Sequence, residues 1–177
     1  AQTIQELPKQ FARIGMPLGH ETHLRLPQND YAALSEQLRG YKFGDCTRML
    51  KQQFSVKSTA EIEKIRYACE VAGQSFAALP EFAQVGDSER EILRKMRIDL
   101  LQRGADHSPF MVSASGPDGY DNIIMGPTDR QLQHGDVLII DTGTQFDGYY
   151  CDFDRNYAFG SVSDATRRAY DAVYRST

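Results

Sequence analysis

Long apolar runs are missing from this chain of 177 residues. The longest, such as Val137–Ile140, extend for only a few residues, whereas a membrane-spanning helix needs about 20. No membrane partner is expected. A basic surplus is missing too. The net charge is -4 and the pI about 5.6, which argues against nucleic acid, because its partners present a basic face. The opening "AQTIQELPKQ" has no charged-then-apolar signal pattern and no initiator Met. The natural start is therefore expected upstream. Cysteine is scarce: Cys46, Cys69 and Cys151 are far apart, odd in number and without a CxxC pair. The expectation is reduced thiols packed as small apolar side chains in a cytoplasmic protein. No His adjoins Cys151 in sequence to make it a nucleophile. Repeats and low-complexity tracts are absent. "SGPDG" reads as a turn, lacking the Lys and the wider glycine spacing of a phosphate loop.

What remains is a globular composition, 41% apolar and 25% charged. Residues 2–13 predict a helix ended at Gly15, and "MPLG" a short strand. Pro27 suits the first turn of a helix over 27–39 that stops at Gly40. Residues 41–56 mix turn residues with an amphipathic "TRMLKQQF". Residues 1–54 thus read as a small αβ segment. Two capping boxes follow, "STAE" from Ser58 and "SERE" from Ser88. Ile62, Ile65, Cys69, Ala72 and Phe76 form the predicted buried stripe of the first helix, with Pro80 as its stop or kink. Ile92, Leu93, Met96, Leu100 and Leu101 form that of the second, which ends at Gly104. The period then shortens. "FMVSAS", "NIIMG", "DVLIID" and "GYYCDFDRNYAFG" read as strands, the last two as a hairpin around Asp147–Gly148. A last helix begins at Ser163. The expected fold is α/β, a largely antiparallel curved sheet with helices on its outer face.

Within "LIIDTGTQFDGYYCDFDRN", Asp141, Asp152 and Asp154 sit in or beside otherwise apolar strands. Asp152 and Asp154 are two residues apart and share a face. A four-residue loop at 145–148 would place Asp141 opposite Asp152. A two-residue turn at Asp147–Gly148 would place it opposite Asp154. Either register brings two carboxylates to about 5 Å between Cα atoms. Three arrangements relieve that repulsion: a hard divalent cation or a pair of them, a salt-bridge network with Arg155 and Arg130, or a dyad sharing a proton. "GHETH" offers His20 and His23 at i, i+3, but among turn residues, where surface histidines are expected.

At these residues the chain resembles the creatinase, Xaa-Pro peptidase and methionine aminopeptidase superfamily, the pita-bread fold. "GDVLIIDTGTQFDGYYCDFDRNYAFG" looks like its metal-binding strand pair. An Asp ends an apolar strand, a Gly-Tyr turn follows, and a second Asp comes eleven residues after the first. The resemblance implies Asp141 and Asp152 as metal ligands, with Asp154 and Arg155 as second-layer or substrate groups. "KSTAEIEKIRYACEVAGQSFAAL", "GDSEREIL" and "SGPDGYDNIIMGPTDRQLQHGD" are similar to the upstream helices and the approach to the metal strands. Residues 1–54 resemble the end of a creatinase-type N-terminal domain, and 55–177 the first half of a pita-bread domain without its second half.

The implied function is a metallopeptidase of the Xaa-Pro dipeptidase or aminopeptidase type. It would hydrolyse short peptides with a hydroxide held by two divalent ions, manganese before zinc, cobalt or iron. A cytoplasmic homodimer is implied. The other ligands, a His and two Glu, and the catalytic residues belong to the second half, so this chain alone is expected to be inactive and a poor metal binder. Two departures from the peptidase pattern appear. The segment matching 118–126 lacks a His, with Ile124 about where one would stand, and Asp154 replaces a Thr. Both point to the alternative of a non-peptidase member, a creatinase-like or ectoine-hydrolase-like C–N hydrolase or a sulfonium lyase acting on a small molecule. A catalytically silent binding protein is the third reading.

Overall fold

The computed structural model describes residues 1–6, 12–122 and 125–176. It contains two compact units, Ala1–Lys57 and Ser58–Thr177.

In the first unit, α1 (Gln2–Glu6) precedes β1 (Arg13–Met16), α2 (Gln28–Gln37), β2 (Lys42–Asp45) and α3 (Thr47–Ser55). β1 and β2 pair in parallel, Arg13 with Lys42 and Met16 with Asp45. Three sequence expectations are corrected here. The predicted helix over 2–13 cannot reach Arg13, which is strand, and residues 7–11 lie outside the described residues. The predicted strand "MPLG" is displaced to Arg13–Met16. β2 was not anticipated, because "KFGD" is too short and polar to show a period. Leu38 and Met16 are buried. Asp45 holds the entry to α3: its Oδ1 accepts from the Thr47 backbone N–H (2.9 Å), the Thr47 hydroxyl (2.6 Å) and the Leu18 N–H (3.1 Å).

The second unit begins with both capping boxes. Ser58 and Glu61 open α4 (Thr59–Phe82), and Ser88 and Glu91 open α5 (Glu89–Gln102). Each box satisfies backbone donors that a helix start otherwise leaves free. Pro80 lies inside α4, which runs two residues further. The α4 face is rotated from the predicted stripe. Ala68, Val71, Ala72, Ser75, Phe76 and Leu79 are buried, whereas Ile62 is exposed. Small residues let the helix lie close to the sheet, and this closeness moved the seam. On α5, Ile92, Leu93, Met96 and Leu100 are buried as predicted and Leu101 is exposed.

Three strands follow: β3 (His107–Pro117), β4 (Asp136–Phe146) and β5 (Tyr149–Phe159), in the order β3-β4-β5. Both pairings are antiparallel. The predicted strand "NIIMG" is not one. Ile123 and Ile124 lie outside the described residues, and Asn122, Met125 and Gly126 are irregular backbone. The segment reaches β3 through a bond from the Ser113 N–H to the Met125 carbonyl. α6 (Asp164–Ser176) ends the unit.

Helices α4 and α5 cover one face of this sheet. Leu138, Ile140, Phe159, Met111, Leu132, Phe76, Leu79 and the α5 face make one continuous core. Ala68, Ala72 and Cys151 form a second, smaller cluster. The Cys151 thiol donates to the Ala68 carbonyl, and burial pushes its pKa up. It is a packing residue, and all three cysteines are free thiols. No helix among the described residues is long and apolar enough to cross a membrane.

Candidate metal centre

The hairpin register decides which carboxylates meet. Phe146 pairs with Tyr149, and the turn between them is the two residues Asp147 and Gly148. Both have positive φ, 46° and 81°, the conformation that a tight hairpin turn of this twist requires and that Asp-Gly supplies cheaply. The tip is fixed from outside. The Asp147 N–H donates to Asp106 Oδ2 (2.6 Å), Lys64 Nζ pairs with Asp147 Oδ2 (2.6 Å), and the Tyr149 hydroxyl donates to Glu61 Oε1 (2.9 Å).

This is the two-residue register of the pair considered above, so Asp141 faces Asp154. Asp152 faces Gly143, one step along the same face, and is the diagonal neighbour of Asp141. All three carboxylates therefore project from one side of the sheet, the side away from α4 and α5. They line an open depression of about 300 Å³ with Phe153 and Arg155. Gly143 matters to its shape. A Cβ there would come within 2.5 Å of the Phe110 ring, which lies over the glycine.

The electrostatics are one-sided. None of the ion pairs among the described residues involves Asp141, Asp152 or Asp154. Arg130, one of the two arginines considered as a partner, is committed elsewhere. Its guanidinium grips Asp136 with two bonds of 2.6 and 2.8 Å. Arg155 alternates to the helix-covered side. Its guanidinium lies over Phe153 (5.0 Å) and Phe76 (5.9 Å), and it donates to the Asp154 carbonyl. Burial, then the charges of Asp152 and Asp154, push the Asp141 carboxyl above its ordinary pKa. Asp141 Oδ1 is sealed from solvent with no hydrogen-bond partner among the described residues. An enclosed, unpartnered carboxylate oxygen is costly, and a cation between it and Asp152 removes that cost. Oxygen donors of this kind suit hard divalent ions. Among the described residues no group of three or more His, Cys, Asp or Glu is arranged as a ready metal shell. Asp141 and Asp152 would thus supply part of a coordination sphere.

Sequence reasoning missed two features near the site. The first is a buried network behind it. Glu89 accepts from the Thr128 N–H (2.9 Å), the Thr128 hydroxyl (2.7 Å) and the Ser115 hydroxyl, and Arg130 joins Ser115 (2.9 Å) to Asp136. It ties the segment before β4 to the start of α5. The only sequence signal was a second acid in the first turn of "SERE", which the capping box absorbed. The second is Tyr120, whose hydroxyl donates to Asn156 Oδ1 (2.8 Å) on the carboxylate face, two residues beyond Asp154. Ile124, at the position of the missing His, lies outside the described residues. His20 is on the surface of the first unit, not in a helix. It borders a cleft of about 480 Å³ along α3 with Asp45, Arg48 and Lys51.

Comparison with known proteins agrees with this layout. The model of metallopeptidase family M24 matches residues 63–177. The chain belongs to that family, within the creatinase and Xaa-Pro peptidase superfamily. It is 30% identical over 131 residues to the Xaa-Pro dipeptidase of Pyrococcus furiosus, covering 71% of this chain and 36% of that protein. The X-Pro aminopeptidase from Thermotoga maritima superposes with a TM-score of 0.80 at 25% identity, over 92% of this chain and 45% of that one. The dipeptidase PepE from Mycobacterium ulcerans gives 0.72 at 29% identity, over 84% of this chain and 40% of that one. The fold is accordingly the α/β, antiparallel-sheet architecture of the pita-bread enzymes. The chain spans less than half the length of each of these proteins.

Proposed function

We propose that the protein acts as a metallopeptidase of the Xaa-Pro dipeptidase or aminopeptidase type, with Asp141 and Asp152 as metal ligands. One observation carries the reading: among the described residues the Asp141 oxygen is enclosed and unpartnered, and neither it nor Asp152 takes part in an ion pair. Its place in the family-matched region and the printed activities of the relatives support it.

When bound, two divalent ions, manganese before zinc, cobalt or iron, would supply Lewis acidity and lower the pKa of water. The chain's own part is orientation. β4 and β5 hold Asp141 and Asp152 at fixed register on a sheet backed by a packed core, so the ligands need little reordering. The tight Asp147–Gly148 turn and its anchors to Lys64 and Glu61 keep that register. Short peptides are the proposed substrates, and a cytoplasmic homodimer the proposed state. Residues 1–54 are read as the end of a creatinase-type N-terminal domain and 55–177 as part of the catalytic domain. A small-molecule C–N hydrolase or a lyase is the second reading, favoured by Asp154 on the carboxylate face.

The test is steady-state kinetics of the complete gene product, loaded with manganese, on Xaa-Pro dipeptides beside a panel of small cationic compounds. Xaa-Pro cleavage abolished by Asp152→Asn supports the peptidase. Turnover of a small cation alone replaces it with the second reading. The 177-residue chain by itself should bind manganese only weakly in calorimetry, since affinity grows with the number of ligands. Tight stoichiometric binding would contradict this division of the ligands.

A further inference from the structure

Two of the three cysteines, far apart in sequence, come together on the helix-covered side of the hairpin. Cys69 of α4 packs against the small cluster of Ala68, Ala72 and Cys151. The Cys151 sulfur lies 3.4 Å from the Ala68 carbonyl oxygen, and that oxygen belongs to the peptide unit joining Ala68 to Cys69. By the fixed dimensions of a trans peptide, the sulfur is then no more than about 6 Å from the Cys69 Cα. One cysteine side chain spans much of that distance, so a disulfide asks for a side-chain movement and no change of fold. Both thiols are free in this structure, and they differ in access: Cys69 is half-buried, Cys151 buried. A third group completes the cluster. Thr144 stands directly opposite Cys151 on the ladder, and so on the same face. It is fully buried, and its hydroxyl has no hydrogen-bond partner among the described residues. It is an unused donor beside the Cys151 sulfur, of the kind that stabilises sulfur charge during attack.

We propose that Cys69 and Cys151 are a redox pair, which a peroxide converts to a disulfide tying α4 to β5. Hydrogen peroxide takes two electrons from the accessible Cys69 thiol, leaving a sulfenic acid and one water. The Cys151 sulfur attacks that sulfur. The S–S bond forms, and the hydroxyl leaves with the Cys151 proton as a second water. The bond closes a long loop through α5, β3 and β4, and clamps the strand that carries Asp152 to the helix behind it. The pair does not depend on the metal reading.

The experiment uses the complete gene product, reduced and kept in chelator, as wild type and Cys69→Ser. Each is treated with a small molar excess of hydrogen peroxide, alkylated with iodoacetamide, digested and mapped by mass spectrometry. The wild type is expected to lose both thiols together and to yield a linked Cys69–Cys151 peptide that dithiothreitol separates. Because a cross-link over a long loop constrains the unfolded chain, the oxidised wild type should melt about 5 °C above the reduced form. Cys69→Ser changes a half-buried position and should fold; it should give no linked peptide at Cys151 and no shift in melting. Three results would overturn the proposal: Cys69 and Cys151 both alkylated after peroxide, Cys69 carried on to sulfinic acid while Cys151 stays free, or a linked peptide with no rise in melting temperature.

Discussion

The two faces of the β4–β5 hairpin are made of alternate residues of the same eleven-residue strands, and they differ most around the acids, since the face that carries them also buries Val137 and Ile139. One face carries Leu138, Ile140, Thr142, Cys151, Phe153, Tyr157 and Phe159, against α4 and α5. Two of its polar groups find partners among the described residues. The Thr142 hydroxyl donates to the Phe110 carbonyl (3.0 Å), and the Tyr157 hydroxyl to the Phe76 carbonyl (2.6 Å), with burial pushing the Tyr157 pKa up to about 12. The other face carries Asp141, Asp152 and Asp154, mutually repelling and, among the described residues, in no ion pair. Apolar burial on one side, at about 25 cal/mol per Å², lets the sheet carry repulsion on the other. The comparison teaches that period-two alternation separates stability from chemistry within single strands. A one-residue slip would exchange the two faces, which explains why the turn is fixed so heavily by Asp106, Lys64 and Glu61.

Four substitutions test that division, from the largest effect to the smallest. Ile140→Ala, at a fully buried position on the helix-covered face, should cost about 2–5 kcal/mol in urea unfolding. A loss below 1 kcal/mol would mean that this face is not the main source of stability. Arg130→Met comes next. It strands the buried Asp136 carboxylate and should cost about 3 kcal/mol. The pH dependence follows from the sign of the shift. The Arg130 guanidinium holds the Asp136 pKa below its ordinary value. Its contribution is therefore complete above the unfolded carboxyl pKa, about 3.9, and is lost as pH falls through the lower folded value. Acid unfolding of Arg130→Met should begin at higher pH than in the wild type, and coincident acid limbs would refute this role.

On the opposite face the sign should reverse. Asp141→Asn in the metal-free chain should stabilise by about 1 kcal/mol at neutral pH, by removing one charge of the repelling set. Destabilisation there would show that the carboxylates already have compensation. The smallest effect concerns elements remote from both faces. Ser88→Ala removes the N-cap of α5 and should cost about 1 kcal/mol, with no change in metal affinity.

How much of this could be read from the sequence depended on the range of the interaction. Both capping boxes, the Asp147–Gly148 turn and the buried side of α5 were legible, because their signals lie within a few residues. The shared face of Asp152 and Asp154 followed from strand period, and the meeting with Asp141 from the hairpin. The choice between two registers was not local. It is set by Asp106 and by α4, whose residues approach only in the folded chain. The fate of Arg130 was misread for the same reason: six residues before Asp136, it reads as free until Ser115 and Glu89 gather around it. β2 was missed because four residues carry too little period. The seam of α4 shifted because alanines and a serine, which hydropathy undervalues, allow close approach to the sheet.

The most direct test of the central claim is the metal content of the complete gene product after manganese loading and exhaustive dialysis, for the wild type, Asp141→Asn and Asp152→Asn. Circular dichroism would confirm that each variant is folded. If the acidic face is a metal face, the wild type retains its ions and each variant loses at least one equivalent. Variants that remain folded and hold as much manganese as the wild type would contradict the assignment.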